Sequence, residues 1–392
     1  MSEKMNISFC KPSILSLLIC SLVAASFNAQ SKSVNAKEEF TESPNALTSA
    51  YRKPLDAWPP AIQVENLKIT ELGSINAYIA QIKEFKENNA DKVRLGKQLF
   101  FDPRLSRSNQ IACASCHDAQ LGWADGKRKA LGHNRQQGLR NSMSLLNVSA
   151  FQPLFWDGRA QSLQHQALMP IQDSLEMHST LPEALSKLNQ ITGYRQQFAA
   201  IYQPQQVNTT ISAEQLADAL ASFQKTLVSR PSRFDRFVEG DYQQLNDREI
   251  NGLHLFRTKA RCIVCHQGTF LTDNKFHHTG LSYYGRKFED LGRFNSTAQE
   301  EDKGLFRTPG LRGIKHTGPY MHNGLFPSIR GVLNMYNAGM TFRKKLKPGE
   351  PALSPLIQPL NLTKNELQDL ELFLLTLSSE NSRYVATPTL PN

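Results

Sequence analysis

Two Cys-x-x-Cys-His motifs carry the most specific chemistry in the sequence, one at residues 113–117 and one at residues 262–266. Two thiols three positions apart can each add to a vinyl group of one porphyrin, and the adjacent histidine then binds the iron. Paired zinc motifs usually lie roughly 15–20 residues apart, whereas 149 positions separate Cys113 from Cys262. A redox dithiol would leave both histidines unexplained. The sequence therefore predicts two covalent c-type haems, held by Cys113, Cys116, His117, Cys262, Cys265 and His266.

The other cysteines and the N-terminus indicate export. Of the six cysteines, four belong to the two motifs and the other two fall within residues 1–29. This segment has the form of a secretory signal, with lysines followed by a short apolar run and small residues. Cleavage after Ala25 and cleavage after Ala29 both fit. The run is too short for a transmembrane helix, so we expect a periplasmic protein with no membrane span after cleavage.

The charge balance is positive but modest. The formal net charge is +10, and removal of residues 1–29, which carry two lysines and one glutamate, leaves +9. The haem propionates would lower it further. Basic residues are not interleaved with aromatic residues in the way that nucleic-acid binding needs, so we predict no nucleic-acid partner. A basic surface could still steer an acidic redox partner.

Helices must position the two haem motifs. Residues 212–215 and 363–366 both have capping-box form, and apolar residues follow each of them at helical spacing. No segment shows a sustained strand alternation. These patterns predict a mainly α protein with long functional loops.

A weak internal repeat indicates two domains of the same kind. The pattern G-x-x-L-F occurs at residues 96–100 and 252–256, before the first and the second haem motif respectively. Such a repeat favours two tandem cytochrome c-like haem domains. The predicted division is a signal peptide at 1–29, a polar lead-in at 30–60, an N-terminal haem domain at 61–230 and a C-terminal haem domain at 231–392.

Several further segments carry a family resemblance. They are Leu-Gly-Lys-Gln-Leu-Phe-Phe-Asp-Pro-Arg-Leu-Ser at 95–106, Arg-Asn at 140–141, Phe-Trp-Asp-Gly-Arg at 155–159, Phe-Arg-Thr-Pro-Gly-Leu-Arg at 306–312 and Pro-Tyr-Met-His-Asn-Gly at 319–324. Together with the haem motifs they closely resemble the bacterial dihaem cytochrome c peroxidase family. That family includes the MauG-type enzymes, which oxidise tryptophan residues of a partner protein.

The resemblance is specific for the family and unspecific for the substrate. It implies an enzyme that reduces hydrogen peroxide to water with electrons from a small cytochrome c or copper protein. A MauG-type enzyme that oxidises aromatic residues of a protein substrate is the first alternative. A dihaem electron carrier without turnover is the second.

The resemblance also implies different roles for the two haems. In the family the N-terminal haem reacts with peroxide and the C-terminal haem receives electrons. Glu176 and Gln166 match the family's distal pair, and Trp156 matches the tryptophan between the haems. A carboxylate near bound peroxide can move a proton from one oxygen to the other, while Gln166 would orient the peroxide and Trp156 would relay electrons. A solvated surface glutamate and a core tryptophan are the alternatives. The presence of all three residues weighs against a simple carrier.

The sixth ligands of the two irons separate the two enzyme hypotheses. His133 matches a distal histidine of the peroxidase members, which leaves the reactive haem before peroxide binds and which MauG-type members lack. At the second haem, Tyr336 stands where the peroxidase members have a methionine, as in MauG-type members, and Met335 is next to it. A thioether raises the haem potential, whereas a phenolate lowers it. His133 therefore favours the peroxidase, and Tyr336 favours the MauG-type enzyme.

The family also holds a calcium ion between its haem domains. The matching positions are Asn141, through its side chain, and Thr317 and Pro319, through backbone carbonyls. Oxygen ligands suit this hard cation. The resemblance thus implies one calcium ion beside two haems. It leaves the oligomeric state open, with a homodimer as one option.

Overall fold

The fold is mainly helical, as the sequence predicts. The computed structural model describes residues 46–205, 210–340, 348–380 and 385–392. The predicted signal peptide and the lead-in up to residue 45 lie outside the described residues. No helix in the described ranges is long and apolar enough to cross a membrane.

The helices are short and are joined by long loops. They are α1 (Ala46–Tyr51), α2 (Asn76–Asn88), α3 (Ala90–Phe101), α4 (Leu163–Gln172), α5 (Leu181–Gln190), α6 (Thr192–Tyr202), α7 (Ala213–Lys225), α8 (Arg233–Val238), α9 (Asp247–Arg257), α10 (Phe294–Thr297), α11 (Ile329–Asn337) and α12 (Lys364–Thr376). Two strands, β1 (Phe276–His277) and β2 (Phe306–Arg307), form a small antiparallel sheet.

The two predicted capping boxes are confirmed. Helix α7 begins directly after Ser212, whose hydroxyl accepts a hydrogen bond from the backbone N–H of Gln215. Helix α12 begins after Thr363, which accepts in the same way from the N–H of Glu366. Each cap satisfies amide groups that the first turn of a helix leaves unpaired.

Two hydrophobic clusters organise the described residues. The first is built around α3 and α7, with Leu99 and Phe223 among its buried members. The second is built around α9 and α12, with Phe256 and Phe373 among its members. Each cluster therefore contains one helix that bears the repeated G-x-x-L-F pattern and one of the two helices whose capping boxes the sequence predicts.

The glycine of each repeated pattern lies where two helices cross. A Cβ atom on Gly96 of α3 would lie 1.9 Å from the carbonyl oxygen of Ala219 in α7. A Cβ atom on Gly252 of α9 would lie 2.0 Å from the carbonyl oxygen of Asp369 in α12. The repeat thus marks the point of closest approach of the helix pair in each cluster, where only glycine fits.

We expect Gly96→Ala and Gly252→Ala each to lower the free energy of unfolding by about 1–3 kcal/mol, because the added methyl group must push two helix backbones apart. Urea unfolding of the haem-loaded protein measures this loss. Gly331→Ala is the matched control, since its Cβ would meet the nearest heavy atom at 3.4 Å. A loss at Gly96 no larger than the change at Gly331 would contradict the close-crossing argument.

The first described stretch packs into the second cluster, whereas the sequence predicts a polar lead-in as far as residue 60. Tyr51 of α1 and Trp58 are buried there, and Leu72 follows them. Arg257 at the end of α9 donates to the Tyr51 hydroxyl at 2.7 Å and to the carbonyl of Pro59 at 2.8 Å. Two large aromatic side chains supply enough apolar surface to hold this stretch in place. The division at residue 230 stays a prediction.

Candidate functional site

The first haem motif forms a single tight turn at Cys113–Ser115. The Nδ1 atom of His117 lies 2.9 Å from the carbonyl oxygen of Trp123. A carbonyl oxygen only accepts, so Nδ1 carries the proton and Nε2 is left with its lone pair. Burial lowers the pKa of His117, which keeps the ring neutral. The histidine is therefore prepared to bind a metal ion through Nε2.

The second motif repeats this arrangement. Cys262–Val264 forms the turn, and Nδ1 of His266 lies 3.0 Å from the carbonyl oxygen of Leu271. Burial lowers the pKa of His266 as well. Burial also raises the pKa of the Cys113 and Cys262 thiols to about 12. Bonding to porphyrin vinyl groups would convert these thiols into uncharged thioethers, so neither sulfur would need to ionise.

A cavity of about 420 Å³ lies beside the first motif. Cys113, Cys116 and His117 line it, together with Gln166 and Glu176. Two thiols, one free imidazole nitrogen and largely apolar walls are the groups that covalent haem needs. The structure thus brings the two predicted distal residues into the same cavity as the first motif.

Helix α4 and the loop after it position the two distal residues. Ser162 caps α4, with its hydroxyl accepting from the N–H of His165 at 3.1 Å. Gln166 and Pro170 are one turn apart on this helix, and both face the cavity. Glu176 follows in the loop after α4 and lines the same cavity.

Glu176 is largely buried, and its electrostatics suit proton transfer near neutral pH. Burial raises the pKa of Glu176 to about 7, the nearby Asp173 carboxylate raises it as well, and Arg159 lowers it. At pH 7 the protonated and ionised forms are thus comparably populated. A group in this state can both accept and return a proton.

Trp156 lines the first cavity and also the cavity at the second motif. Its indole Nε1 donates to the carbonyl oxygen of Asn141 at 2.9 Å, which fixes the ring orientation. Arg140, the residue before Asn141, forms ion pairs with two carboxylates. Its Nη1 lies 2.6 Å from Oδ2 of Asp157, and its Nε lies 2.7 Å from Oδ2 of Asp290. The indole is therefore held rigidly at the boundary between the two cavities.

His133 is not among the residues that line the first cavity. Its backbone N–H donates to the carbonyl oxygen of Glu176 at 2.8 Å. Its ring packs against His178, with 4.7 Å between the ring centroids. Gly132 fits tightly against the backbone of residues 175–176. The ring is thus outside the cavity in this conformation, and iron ligation by His133 stays a prediction.

The cavity at the second motif has a volume of about 240 Å³. One face of α11 lines it, contributing Ile329, Val332, Leu333 and Tyr336. Met335 is on another face of the helix and does not line the cavity. Burial raises the pKa of the Tyr336 phenol above its usual range, so the free phenol is protonated. Of the two predicted ligands, only Tyr336 faces the Cys262 motif in this structure.

The three residues matched to the calcium site all line the second cavity. Asn141, Thr317 and Pro319 lie along its wall. The Asn141 side-chain nitrogen donates to the carbonyl oxygen of Lys127 at 2.9 Å, which orients the amide. The amide oxygen is then the atom available to a hard cation.

Two features near the second motif do not follow from sequence spacing. The carboxylate of Asp273 lies 2.7 Å from Nε2 of His277, and the thiol of Cys265 completes a cluster with metal-binding atom types. Because Cys265 belongs to the haem motif, we assign no separate metal to this cluster. The second feature is Arg307, which lines both cavities. Its segment was part of the family resemblance, but only the three-dimensional structure shows its burial.

Comparisons with known proteins agree with this geometry. A family model described as di-haem cytochrome c peroxidase matches residues 90–243. The methylamine utilization protein MauG of Methylorubrum extorquens is 38% identical over 305 residues, which are 77% of this chain and 82% of that protein. The cytochrome c551 peroxidase of Nitrosomonas europaea is 38% identical over 250 residues, 64% of this chain and 73% of that protein.

A solved structure is similar over most of the chain. It is the crystal structure of a MauG-like protein associated with microbial copper homeostasis, with a TM-score of 0.66 and 28% sequence identity. The match covers 82% of this chain and 93% of that protein. A MauG protein and a cytochrome c peroxidase are thus both similar to this chain in sequence, and a MauG-like protein is similar to it in fold.

Proposed function

This chain belongs to the family of di-haem cytochrome c peroxidases and MauG proteins, and we propose that it is a periplasmic peroxidase that reduces hydrogen peroxide to water. Its electrons come from a small cytochrome c or copper protein. One observation carries the proposal: Glu176 and Gln166 line the same cavity as Cys113, Cys116 and His117. A simple electron carrier has no need of an acid–base group beside its haem.

Proton transfer is the part of the reaction that this chain's own residues perform. The bound haem supplies the site for peroxide and the electrons that cleave its O–O bond. The Glu176 carboxylate takes a proton from one peroxide oxygen and returns it to the other, which leaves as water. Two electrons and two protons convert one peroxide into two water molecules. The Gln166 amide hydrogen-bonds the peroxide and holds it in the orientation that this transfer needs.

Electrons reach the first cavity from the second in this proposal. Trp156 supports this route because it lines both cavities and is fixed by its bond to Asn141. The two hydrophobic clusters then belong to two tandem cytochrome c-like haem domains. The C-terminal domain receives electrons, and the N-terminal domain uses them.

A calcium ion at Asn141, Thr317 and Pro319 completes the proposed site. The carbonyl oxygen of Asn141 accepts the Trp156 hydrogen bond, and Asn141 also lines the second cavity, where its side-chain oxygen would bind the cation. Binding of the ion would therefore stiffen the segment that orients the indole. Chelation of the ion should slow electron transfer between the haems.

Steady consumption of peroxide in the presence of a reduced small cytochrome tests the main proposal. We expect sustained turnover by the dihaem protein. Peroxide that never perturbs the absorption spectrum of either haem would refute both enzyme functions and leave an electron carrier.

Tyr336 favours a second candidate function, the oxidation of aromatic residues on a protein partner. Its phenol lines the second cavity, whereas Met335 does not. A phenolate ligand lowers the haem potential and favours oxidised states, in contrast to a thioether. In that case peroxide alone should leave the protein in a long-lived oxidised state, and turnover with a donor cytochrome should be negligible.

We expect Tyr336→Phe to raise the midpoint potential of the second haem by about 0.1 V, a part of the ~0.8 V range that axial ligands cover. The reason is the loss of an anionic oxygen donor at that iron. Met335→Leu is the matched control and should leave the potential unchanged. The opposite pattern, with a shift in Met335→Leu alone, would assign the methionine as the ligand and remove the support for the second candidate.

A further inference from the structure

Arg307 differs from the other buried arginines of the described residues. Three arginines are buried there, with Arg257 2%, Arg307 4% and Arg312 5% exposed. Arg257 forms an ion pair with Glu71, and Arg312 lies 2.8 Å from Asp235. No ion pair of Arg307 with an acidic residue occurs within the described ranges.

Among the described residues, the contacts of the Arg307 guanidinium are all neutral, including the Phe151 ring, whose centroid lies 5.0 Å from Cζ. Nη1 donates to the side-chain oxygen of Asn274 at 3.0 Å, and Nε donates to the carbonyl of Phe155 at 3.3 Å. Nη2 lies 3.9 Å from the sulfur of Met143. Burial lowers the pKa of Arg307 to about 10, and no acidic group within the described part of the chain offsets this effect. Neutral partners do not compensate a buried charge, so this cation lacks an anion.

The position of Arg307 indicates where that anion lies. Its side chain lines the cavity of the first haem motif and the cavity of the second. Each haem of this family carries two propionate carboxylates. A guanidinium is the side chain best suited to hold a carboxylate, because its planar fork offers parallel N–H groups. A haem bound in either cavity could therefore place a propionate carboxylate next to the Arg307 guanidinium.

We propose that Arg307 binds a haem propionate at the boundary of the two cavities and acts as a shared counter-charge that raises the reduction potentials of both haems. The ferric form of a haem has one more positive charge than the ferrous form, so a nearby cation disfavours it. In a site screened from water, one charge acts on both irons. The inference rests on the proposed function only in requiring that both haems are bound.

The backbone of Arg307 places this cation beside Trp156. The Arg307 N–H donates to the carbonyl oxygen of Trp156 at 2.8 Å, and Nε contacts the carbonyl of the preceding residue, Phe155. The counter-charge and the proposed electron relay are therefore held by the same hydrogen bonds. Arg307 is a positioning and electrostatic residue, and it is not assigned to the proton transfer.

Spectroelectrochemical titration of the full dihaem protein tests the proposal. We expect Arg307→Gln to move the reduction equilibrium of each haem about tenfold towards the ferric form, which for a one-electron couple is about 59 mV. Arg307→Lys, which keeps the charge, should shift each equilibrium by less than about threefold. Arg94→Gln is the control, because Arg94 is an exposed residue paired with Asp91 and should give no shift.

The outcomes separate this proposal from the proposed function. A shift at one haem only would overturn the shared role, and no shift at either haem would overturn the proposal. Shifted potentials in a chain that never consumes peroxide would support Arg307 and refute the peroxidase. If Arg307→Gln does not accumulate, resonance Raman spectra of Arg307→Lys decide the matter. The propionate bending bands should then move relative to the native protein, and unchanged bands would refute the contact.

Discussion

Glu176→Gln should lower steady peroxide turnover by about 10²–10⁴-fold, the contribution typical of a positioned acid–base group. The amide keeps the shape and the hydrogen-bonding capacity of the side chain but cannot accept a proton. Gln166, the cysteines and the histidine of the cavity are unchanged, so the variant should still bind both haems. Turnover measured at matched haem content gives the result.

The pH dependence provides a sharper test of Glu176. The ionised carboxylate is the form that accepts the peroxide proton, so turnover should rise as the pH increases through about 7, the raised pKa of this buried group. Asp173→Asn is the matched variant, because Asp173 lines the same cavity and its charge raises the pKa of Glu176. We expect its profile to shift towards lower pH. A Glu176→Gln protein with native turnover and a native pH profile would refute the assigned role.

The second large expected effect is the loss of steady peroxide turnover when the second haem is removed. Substitution of Cys262 and Cys265 by alanine should reduce the covalent haem content from two per chain to one. Steady turnover should then stop, because electrons have no route to the first cavity. Added peroxide should still change the spectrum once, since Glu176 and His117 are intact. Mass spectrometry gives the haem count, and stopped-flow absorption follows the single reaction.

The reciprocal double variant is the control for this experiment. Substitution of Cys113 and Cys116 by alanine should also leave one haem, but the reaction with peroxide should then be lost. Equal peroxide reactivity in the two single-haem proteins would contradict the assignment of the N-terminal haem as the reactive one. Sustained turnover in the protein without the second haem would contradict the electron route.

Short-range signals made several features of the fold predictable. The capping boxes at Ser212 and Thr363 act within one turn, so the starts of α7 and α12 follow from the sequence. The haem motifs are equally local. The carbonyl groups that orient their histidines, those of Trp123 and Leu271, are backbone atoms and leave no trace in residue type.

Long-range packing explains what the sequence did not reveal. The packing of Tyr51 and Trp58 against α9 depends on partners about 200 residues away in the chain, and the aromatic residues were the only local signal. The orientation of Tyr336 relative to Met335 was accessible in principle. Ile329, Leu333 and Tyr336 repeat at helical spacing, so they share the face that lines the second cavity.

Residues 51–72 pack against helices that come much later in the chain, which has a consequence for the order of folding. These residues leave the ribosome before the helices of the second cluster, α9 and α12, have been synthesised. The second core is thus discontinuous in sequence, and the first is inserted within it. Tyr51, Trp58 and Leu72 therefore stay exposed until late in synthesis of the chain. Folding of the second core is therefore expected to finish only after α12 has been synthesised, whereas the first core can fold earlier.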